Sequence, residues 1–287
     1  MDYLNSKLSK EEIKSIKREV ALINQDYSID TPGHLKEGIF DLLERVGTLI
    51  FFPFEETDFW GIYVCKNEKN YFIINTSIEI EKQVFAAAHE LAHSFDLAKV
   101  NFEIVTADLM TEYVDSKEFG PALKRADMIA NRFAAELLVG TKKLLEKFEE
   151  LPETYNERVK AVLLSDIFLV PYKTIIKRFA EIGILEDQFI IEELLSVKEK
   201  EVKEIADRHE SCRRNYEINK ETKLGGYVNK ALLLYENELS TYKTLEKKLE
   251  LIKKTPEEFN IHDDSFDLYE LLRNSSGNPD WKDEDDE

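Results

Sequence analysis

Residues 85–96 read Phe-Ala-Ala-Ala-His-Glu-Leu-Ala-His-Ser-Phe-Asp. His89 and His93 are four residues apart, so on a helix their side chains lie one turn apart on the same face. Two imidazoles placed in this way can bind one Zn²⁺ at about 2.0–2.1 Å each. Glu90 follows the first histidine and projects beside the metal position, where its carboxylate can accept a proton from water. The stretch predicts a helix with a zinc site, in which His89 and His93 bind the metal and Glu90 is the general base.

A chance occurrence of this motif is the alternative to a metal site. The chain has 5 histidines and 58 acidic residues in 287 positions. A random His-acid-x-x-His is expected on the order of 0.02 times in such a chain, so two histidines that merely belong to a helical core are the less favoured interpretation.

A catalytic zinc site needs a third protein ligand and one open position. Asp96 is on the same helix as His89, but it lies about 10 Å further along the helix axis, so a short side chain does not reach the metal. Asp127 begins a second helical pattern in which Ala130, Asn131 and Ala134 share its face. We expect the small alanines to let this helix pack closely on the motif helix. Asp127 is then the predicted third ligand, and Asn131 is expected to hydrogen-bond the free ring nitrogen of a ligating histidine.

The pattern before the motif predicts a small antiparallel sheet preceded by helices. Apolar residues at helical spacing indicate a first helix over residues 10–25, and a second is expected over about 35–46. Strands are predicted over about 48–54, 61–65 and 71–75, the last two joined by a polar turn. The motif helix follows over about 79–97. We therefore predict an α+β fold: a small antiparallel sheet with zinc-binding helices, zincin-like, followed by a mostly helical C-terminal region.

The second site helix is expected over about 121–138, with Gly140 as a C-terminal cap. Glu136 on this helix is interpreted as an exposed charge on the face away from the site. Beyond residue 142 the pattern is almost wholly helical. The predicted organisation is a metallopeptidase domain over residues 1–190, a helical extension with a possible partner-binding role over 191–273, and a disordered acidic tail over 274–287.

Charge and cysteine content restrict the environment and the partners. A formal net charge of −19 opposes non-specific binding to nucleic acid or to anionic lipid. The two cysteines, Cys65 and Cys212, do not form a disulfide framework, and the sequence shows neither a signal peptide nor an apolar stretch of membrane-spanning length. We expect a cytoplasmic protein without membrane association.

Two segments resemble the ImmA/IrrE family of metallo-endopeptidases. Residues 72–93 read Phe-Ile-Ile-Asn-Thr-Ser-Ile-Glu-Ile-Glu-Lys-Gln-Val-Phe-Ala-Ala-Ala-His-Glu-Leu-Ala-His, and residues 127–138 read Asp-Met-Ile-Ala-Asn-Arg-Phe-Ala-Ala-Glu-Leu-Leu. The family has a strand that leads into a zinc helix and an acid-x-x-Ala-Asn/Asp-x-Phe-Ala segment on a second helix. The family usually has glutamate at the position of Asp127, and Met-Pro where this chain has Val139-Gly140.

The resemblance implies both a site and a substrate class. His89 and His93 would bind zinc, Glu90 would be catalytic, and Asp127 would match the acidic third ligand. Residues 160–185 are also similar to the helix-turn-helix-like segment that often follows the zinc helices. Members of the family cleave helix-turn-helix repressors, so the implied partner is a protein substrate, a transcriptional repressor.

Two other functions compete with proteolysis. A nucleic-acid-binding module would use the cations Lys173, Lys177 and Arg178, although the net charge disfavours this. A zinc-containing regulator would act through protein contacts without cleavage, and a purely structural zinc normally has four protein ligands and no open position. Tyr113, between the two site helices, is a candidate hydroxyl donor to the reacting carbonyl. The aromatic residues near the strands, including Phe51, Phe52, Phe54, Tyr71 and Phe72, are candidates to line the cleft, with core packing as the alternative.

Overall fold

A computed structural model describes residues 8–95, 120–209, 218, 220–224, 226–250 and 254–262. The elements in these ranges occur in this order: α1 (Lys10–Asp26), α2 (Gly38–Val46), β1 (Thr48–Phe52), β2 (Gly61–Lys66), β3 (Lys69–Asn75), α3 (Ile80–His93), α4 (Gly120–Leu138), α5 (Thr141–Glu149), α6 (Glu157–Phe168), α7 (Tyr172–Ile182), α8 (Gln188–Leu195), α9 (Glu199–Arg208), α10 (Tyr227–Glu236), α11 (Tyr242–Glu250) and a 3₁₀ helix (Pro256–Phe259). The predicted α+β class is confirmed.

The three strands form a mixed sheet in the order β1-β3-β2. Strands β2 and β3 are antiparallel, as expected, and a tight turn at Asn67 and Glu68 joins them, both with positive φ. Two such residues are typical of the turn that matches strand twist in a hairpin. The pairing of β1 with β3 is parallel, which differs from the antiparallel expectation. The reason is that β3 returns from the hairpin into the gap between β1 and β2, and so runs in the direction of β1.

One face of the sheet packs against the helices. Alternate residues of β1 and β3 are buried on this face: Leu49, Phe51, Phe72 and Ile74. Helix α3 packs on β2 and β3, and α2 packs on β1 and α3. Phe51 and Phe72 therefore belong to the core and do not line a cleft.

Helices α3 and α4 pack against each other, and both carry small buried side chains. Ala87 and Ala88 on α3 and Ala130 and Ala134 on α4 are fully buried. Alanine at these positions lets two helix backbones approach closely, so the packing expected from the sequence is present.

Helix α1 also packs against α4. Its apolar face, with Ile16, Val20 and Ile23, is buried as its spacing predicted. Glu12 in its first turn accepts hydrogen bonds from the Arg125 guanidinium on α4. These bonds hold the pKa of Glu12 at about 2, well below its usual value, so the pair is ionised at neutral pH.

Gly140 has a different role from the predicted helix cap. Its φ of −62° and ψ of 138° are extended, and it precedes α5 as the N-cap residue. Its amide donates to the Gly33 carbonyl at 3.1 Å. A Cβ on Gly140 would lie 2.9 Å from Gly33 Cα, which is closer than ordinary contact. The absence of a side chain at Gly140 thus allows the segments that contain Gly33 and Gly140 to approach closely.

A buried ion network joins α4 to α7 and corrects the interpretation of Glu136. Glu136 is only 9% exposed, and its carboxylate accepts from Arg178 at 3.0 Å and from Arg132 at 3.0 Å. Arg178 is fully buried and also donates to Glu181, Thr141 Oγ1 and the Val139 carbonyl. The sequence pattern did not indicate this burial because Arg178, the partner of Glu136 on α7, is 42 residues away along the chain.

Helices α6 and α7 occupy the region that resembles a helix-turn-helix. Leu169 ends α6 in the left-handed conformation, and α7 begins after Pro171. Most of α7 is buried, including Tyr172, Thr174, Ile175, Ile176, Arg178 and Phe179. Arg178 is therefore not accessible to a nucleic acid, and Lys173 is the exposed cation of the three considered.

The chain divides into two compact units, Met1–Gly225 and Gly226–Glu287. In the first, α8 packs on α7 and α9 packs on α6. The second has a small core of its own, formed by Ala231, Leu245 and Leu249. The functional division predicted at residue 190 stays a prediction. Cys212 and the tail 274–287 lie outside the described residues. Among the helices that the structure describes, none has the length and apolar character to cross a membrane.

The buried network predicts a large effect of Arg178→Ala. Removal of the guanidinium breaks the buried ion pair and leaves the Glu136 carboxylate with Arg132 as its remaining cationic partner, so the free energy of unfolding should fall by about 3–5 kcal/mol. Urea unfolding followed by circular dichroism measures this. The control Lys173→Ala, on the exposed side of the same helix, should change it by less than about 0.5 kcal/mol. Equal unfolding midpoints for the wild type and Arg178→Ala would contradict the role of the network.

Candidate metal centre

The last two turns of α3 place both histidines at one position. The helix ends at His93, and the side chains of His89 and His93 are each 18% exposed. Their Nε2 atoms are 3.1 Å apart. Each ring therefore directs its Nε2 atom to a shared point, as the four-residue spacing predicted.

Asp127, in the second turn of α4, faces the two histidines across the helix contact. Its Oδ1 lies 3.8 Å from His89 Nε2 and 3.7 Å from His93 Nε2. These three residues form the group in the described part of the chain that could hold a metal ion. The structure thus brings together the three residues that the sequence selected as ligands. Asp96 and Tyr113, the other residues considered, lie outside the described residues.

The spacing of the three atoms fits a first-row divalent metal. A point equidistant from the two Nε2 atoms and Oδ1 lies about 2.1 Å from each of them, within the range of Zn–N and Zn–O bonds. Two imidazoles and one carboxylate are also a donor set that zinc accepts. The residues present therefore fit the metal, and three protein ligands leave a coordination position open.

Asn131 orients His89 as expected. Its Oδ1 lies 3.1 Å from His89 Nδ1, and because a carbonyl oxygen only accepts, this hydrogen bond selects the tautomer that carries the proton on Nδ1. The lone pair of His89 is then on Nε2, towards the metal position. Burial, with a contribution from His93, lowers the pKa of His89 to about 4, so the ring is neutral near pH 7. The neutral ring is the form that binds metals.

Glu90 projects from α3 and is buried against the edge strand β2. It is 8% exposed, and the backbone of Tyr63 hydrogen-bonds its carboxyl. Burial raises the pKa of Glu90 to about 8, with a smaller contribution from Asp127. A nearby cation would favour its ionised form. The carboxyl is thus held at one place, beside the ligands and in an environment where proton exchange near neutral pH is accessible.

The part of β2 that faces Glu90 has a role in the site that was not predicted from the sequence. A Cβ on Gly61 would lie 3.3 Å from Glu90 Cγ and 3.1 Å from the Ile73 carbonyl oxygen, so β2 approaches α3 closely at this point. A glycine at the start of a strand is the one sequence signal for such an approach.

Comparisons with known proteins identify no relative from which a fold or a function can be inferred. No protein-family model and no curated protein sequence matches the chain. Among solved structures, it is similar to a Mycobacterium tuberculosis transcriptional regulator, with 15% sequence identity and a TM-score of 0.40. The match covers 62% of this chain and 49% of that chain, so it spans about half of the regulator's length. A similarity of this extent carries no information about function.

The geometry predicts that the protein binds about one zinc ion per chain, and that Asp127→Ala and Asn131→Ala weaken binding. Loss of the Asn131 bond should reduce affinity by about 10–100-fold, because the imidazole is no longer oriented. Loss of the Asp127 carboxylate should reduce it further. Titration against a chromophoric chelator measures both effects.

Glu149→Ala, an exposed acid on α5, is the control and should bind zinc as the wild type does. Wild-type affinity in Asp127→Ala would show that Asp127 is not a ligand. Absence of zinc binding by the wild type would show that the histidine pair is structural.

Proposed function

We propose that this protein is a zinc-dependent endopeptidase of the ImmA/IrrE type that cleaves a regulatory protein in the cytoplasm. The observation that carries the proposal is the meeting of His89, His93 and Asp127 at one point, with the carboxyl of Glu90 buried beside them. Two histidines and an acid with an open position, next to a general base, are the arrangement of catalytic zinc sites. The resemblance of residues 72–93 and 127–138 to the family supports the same assignment.

Each site residue has a defined role in peptide hydrolysis. Zinc held by the three ligands supplies the Lewis acidity that activates water and polarises a peptide carbonyl. The Glu90 carboxylate accepts a proton from the attacking water, whose oxygen bonds to the carbonyl carbon. The Glu90 carboxyl then donates this proton to the amide nitrogen as the C–N bond breaks. The products are a carboxylic acid and an amine.

Strand β2 is suited to hold an extended peptide beside Glu90. It is an edge strand in the sheet order, and the backbone of Tyr63 on it hydrogen-bonds Glu90. The opposite edge is partly occupied, since Lys223 exchanges two backbone hydrogen bonds with Phe51 of β1 at 2.7 and 2.9 Å. Within the described residues, β2 is thus the edge open to a peptide that adds as a further strand.

A protein substrate follows from this mode of binding, and the family resemblance suggests a helix-turn-helix repressor. The alternative is a zinc-containing regulator that binds its partner without cleaving it. The open coordination position and the adjacent buried Glu90 favour the enzyme, because a purely structural zinc has four protein ligands.

The proposal predicts that Glu90→Gln retains zinc and loses cleavage. The amide keeps the shape of the side chain but cannot accept a proton, so turnover should fall by at least about 100-fold. The assay uses tryptic peptides of a bacterial lysate as a mixed substrate, and mass spectrometry counts the new N-termini formed by the zinc-loaded protein. Removal of zinc by a chelator should abolish the same cleavages.

The control is Glu81→Gln, in the first turn of the same helix and away from the ligands, which should cleave as the wild type does. If the zinc-loaded wild type forms no more new termini than Glu90→Gln, the proposal of a peptidase is wrong. Complex formation with a partner without cleavage would then favour the regulator.

A further inference from the structure

Asn75 is a fully buried polar residue that the proposed chemistry does not use. It is the last residue of β3, and its side-chain amide uses all of its hydrogen-bonding capacity. Nδ2 donates to the Phe59 carbonyl at 2.7 Å and to the Glu56 carbonyl at 3.0 Å. Oδ1 accepts from the Ser77 amide at 2.8 Å and from the Phe54 amide at 3.1 Å.

These bonds connect two segments that are distant from each other in sequence. Residues 53–60 form the loop between β1 and β2, and residues 76–79 lead from β3 into α3. The backbone amide of Asn75 also donates to the Trp60 carbonyl at 3.0 Å. One residue therefore fixes both the start of β2 and the start of the helix that carries the metal ligands.

Aromatic packing gives the same loop a defined shape. The ring centroids of Phe52 and Phe54 are 4.9 Å apart, and those of Phe54 and Phe59 are also 4.9 Å apart. Edge-to-face contacts of this kind add stability beyond buried area. The ring contacts and the hydrogen bonds of the Asn75 amide both hold the loop.

The position of this loop determines how β2 meets Glu90. The loop ends at Trp60, and the next residue is Gly61. A Cβ atom at this position would lie 3.3 Å from Glu90 Cγ. Two residues further on, the Tyr63 backbone hydrogen-bonds the Glu90 carboxyl. A shift of β2 by a few tenths of an ångström would therefore change both the contact at Gly61 and the bond from Tyr63.

We infer that Asn75 is a positioning residue, which sets the distance between the substrate-binding edge of β2 and the general base Glu90. The inference rests on the proposed function, because it assumes that a peptide lies on β2. Asn75 does not touch the peptide or the metal; it acts through the loop and through Gly61 and Tyr63.

The aspartate variant separates the two halves of this network. Asn75→Asp keeps the oxygen that accepts from Phe54 and Ser77 but removes both donors to the loop carbonyls. Asn75→Ala removes all four side-chain bonds. Asn156→Ala, which removes the N-cap bond to the Val159 amide of α6, is the stability control, because that bond lies in the same unit and does not involve the site.

Three measurements test the inference on the zinc-loaded full chain. Zinc content should stay at the wild-type value in Asn75→Asp. Hydrogen exchange should become faster over residues 61–63 in both Asn75 variants, whereas the Phe54 amide should lose protection in Asn75→Ala alone. With a fluorogenic peptide made from the sequence that is cleaved most rapidly in the tryptic peptide mixture, kcat should fall at least about tenfold in Asn75→Asp, because small displacements of a reacting group are costly. KM should change by less than about threefold, because the β2 backbone is retained.

A merely structural role gives a different result. Asn75→Asp would then lose stability as Asn156→Ala does, with unchanged exchange over 61–63 and unchanged kcat, and the inference would be wrong. Absence of cleavage by the wild type rejects the proposed function and with it the catalytic part of the inference. Unchanged exchange over 61–63 rejects the positioning of β2 whether or not the wild type cleaves.

Discussion

Close packing of α3 against α4 determines where the two histidines and the aspartate meet. His89 and His93 are fixed relative to each other by one helix, but Asp127 reaches the same point only because α4 lies very near. Fully buried alanines on both helices make this approach possible. A larger side chain at Ala130, which is fully buried and shares the Asp127 face of α4, would separate the helix axes, and a carboxylate as short as that of Asp127 could not span the added distance. An acidic ligand as short as aspartate thus requires small side chains where the two helices pack.

The surrounding structure holds these two helices in place with ion pairs, one partly exposed and one buried. On one side the Arg125–Glu12 pair ties α4 to α1, and on the other the Glu136–Arg178 network ties it to α7. A buried ion network contributes little net stability, but its geometry permits few alternative alignments. The sheet has the corresponding role for α3, because β2 encloses Glu90 and the Asn75 amide fixes where β2 begins. Helices and the sheet therefore position the site together. The side of the site at Asp127 is accessible to solvent, since the Asp127 side chain is 62% exposed.

The sequence predicted what depends on local spacing. His89, His93 and the helix that carries them follow from a four-residue period, and Asp127 and Asn131 follow from a shared face on the next helix. The structure places all four at one site. The sequence did not predict features that depend on partners far along the chain. Glu136 resembles an exposed helix acid until α7 brings Arg178 to it, the direction of β1 depends on where β3 inserts, and the hydrogen bonds of Asn75 leave no periodic pattern. Gly140 was assigned the common role of a helix cap, whereas its contact with Gly33 is tertiary. The metal's identity and the peptidase activity follow from chemistry and resemblance, and they stay proposals.

X-ray absorption at the zinc edge, on protein loaded with one equivalent of zinc, tests the metal site most directly. The geometry of His89, His93 and Asp127 predicts a spectrum with two imidazole nitrogens at about 2.0–2.1 Å and oxygen ligands at about 2.0–2.2 Å, without sulfur. In Asp127→Ala the two imidazoles should remain and an oxygen ligand should be lost or replaced by water. A spectrum with sulfur ligands, or without two imidazoles, would contradict the assignment of the metal to this pair of helices.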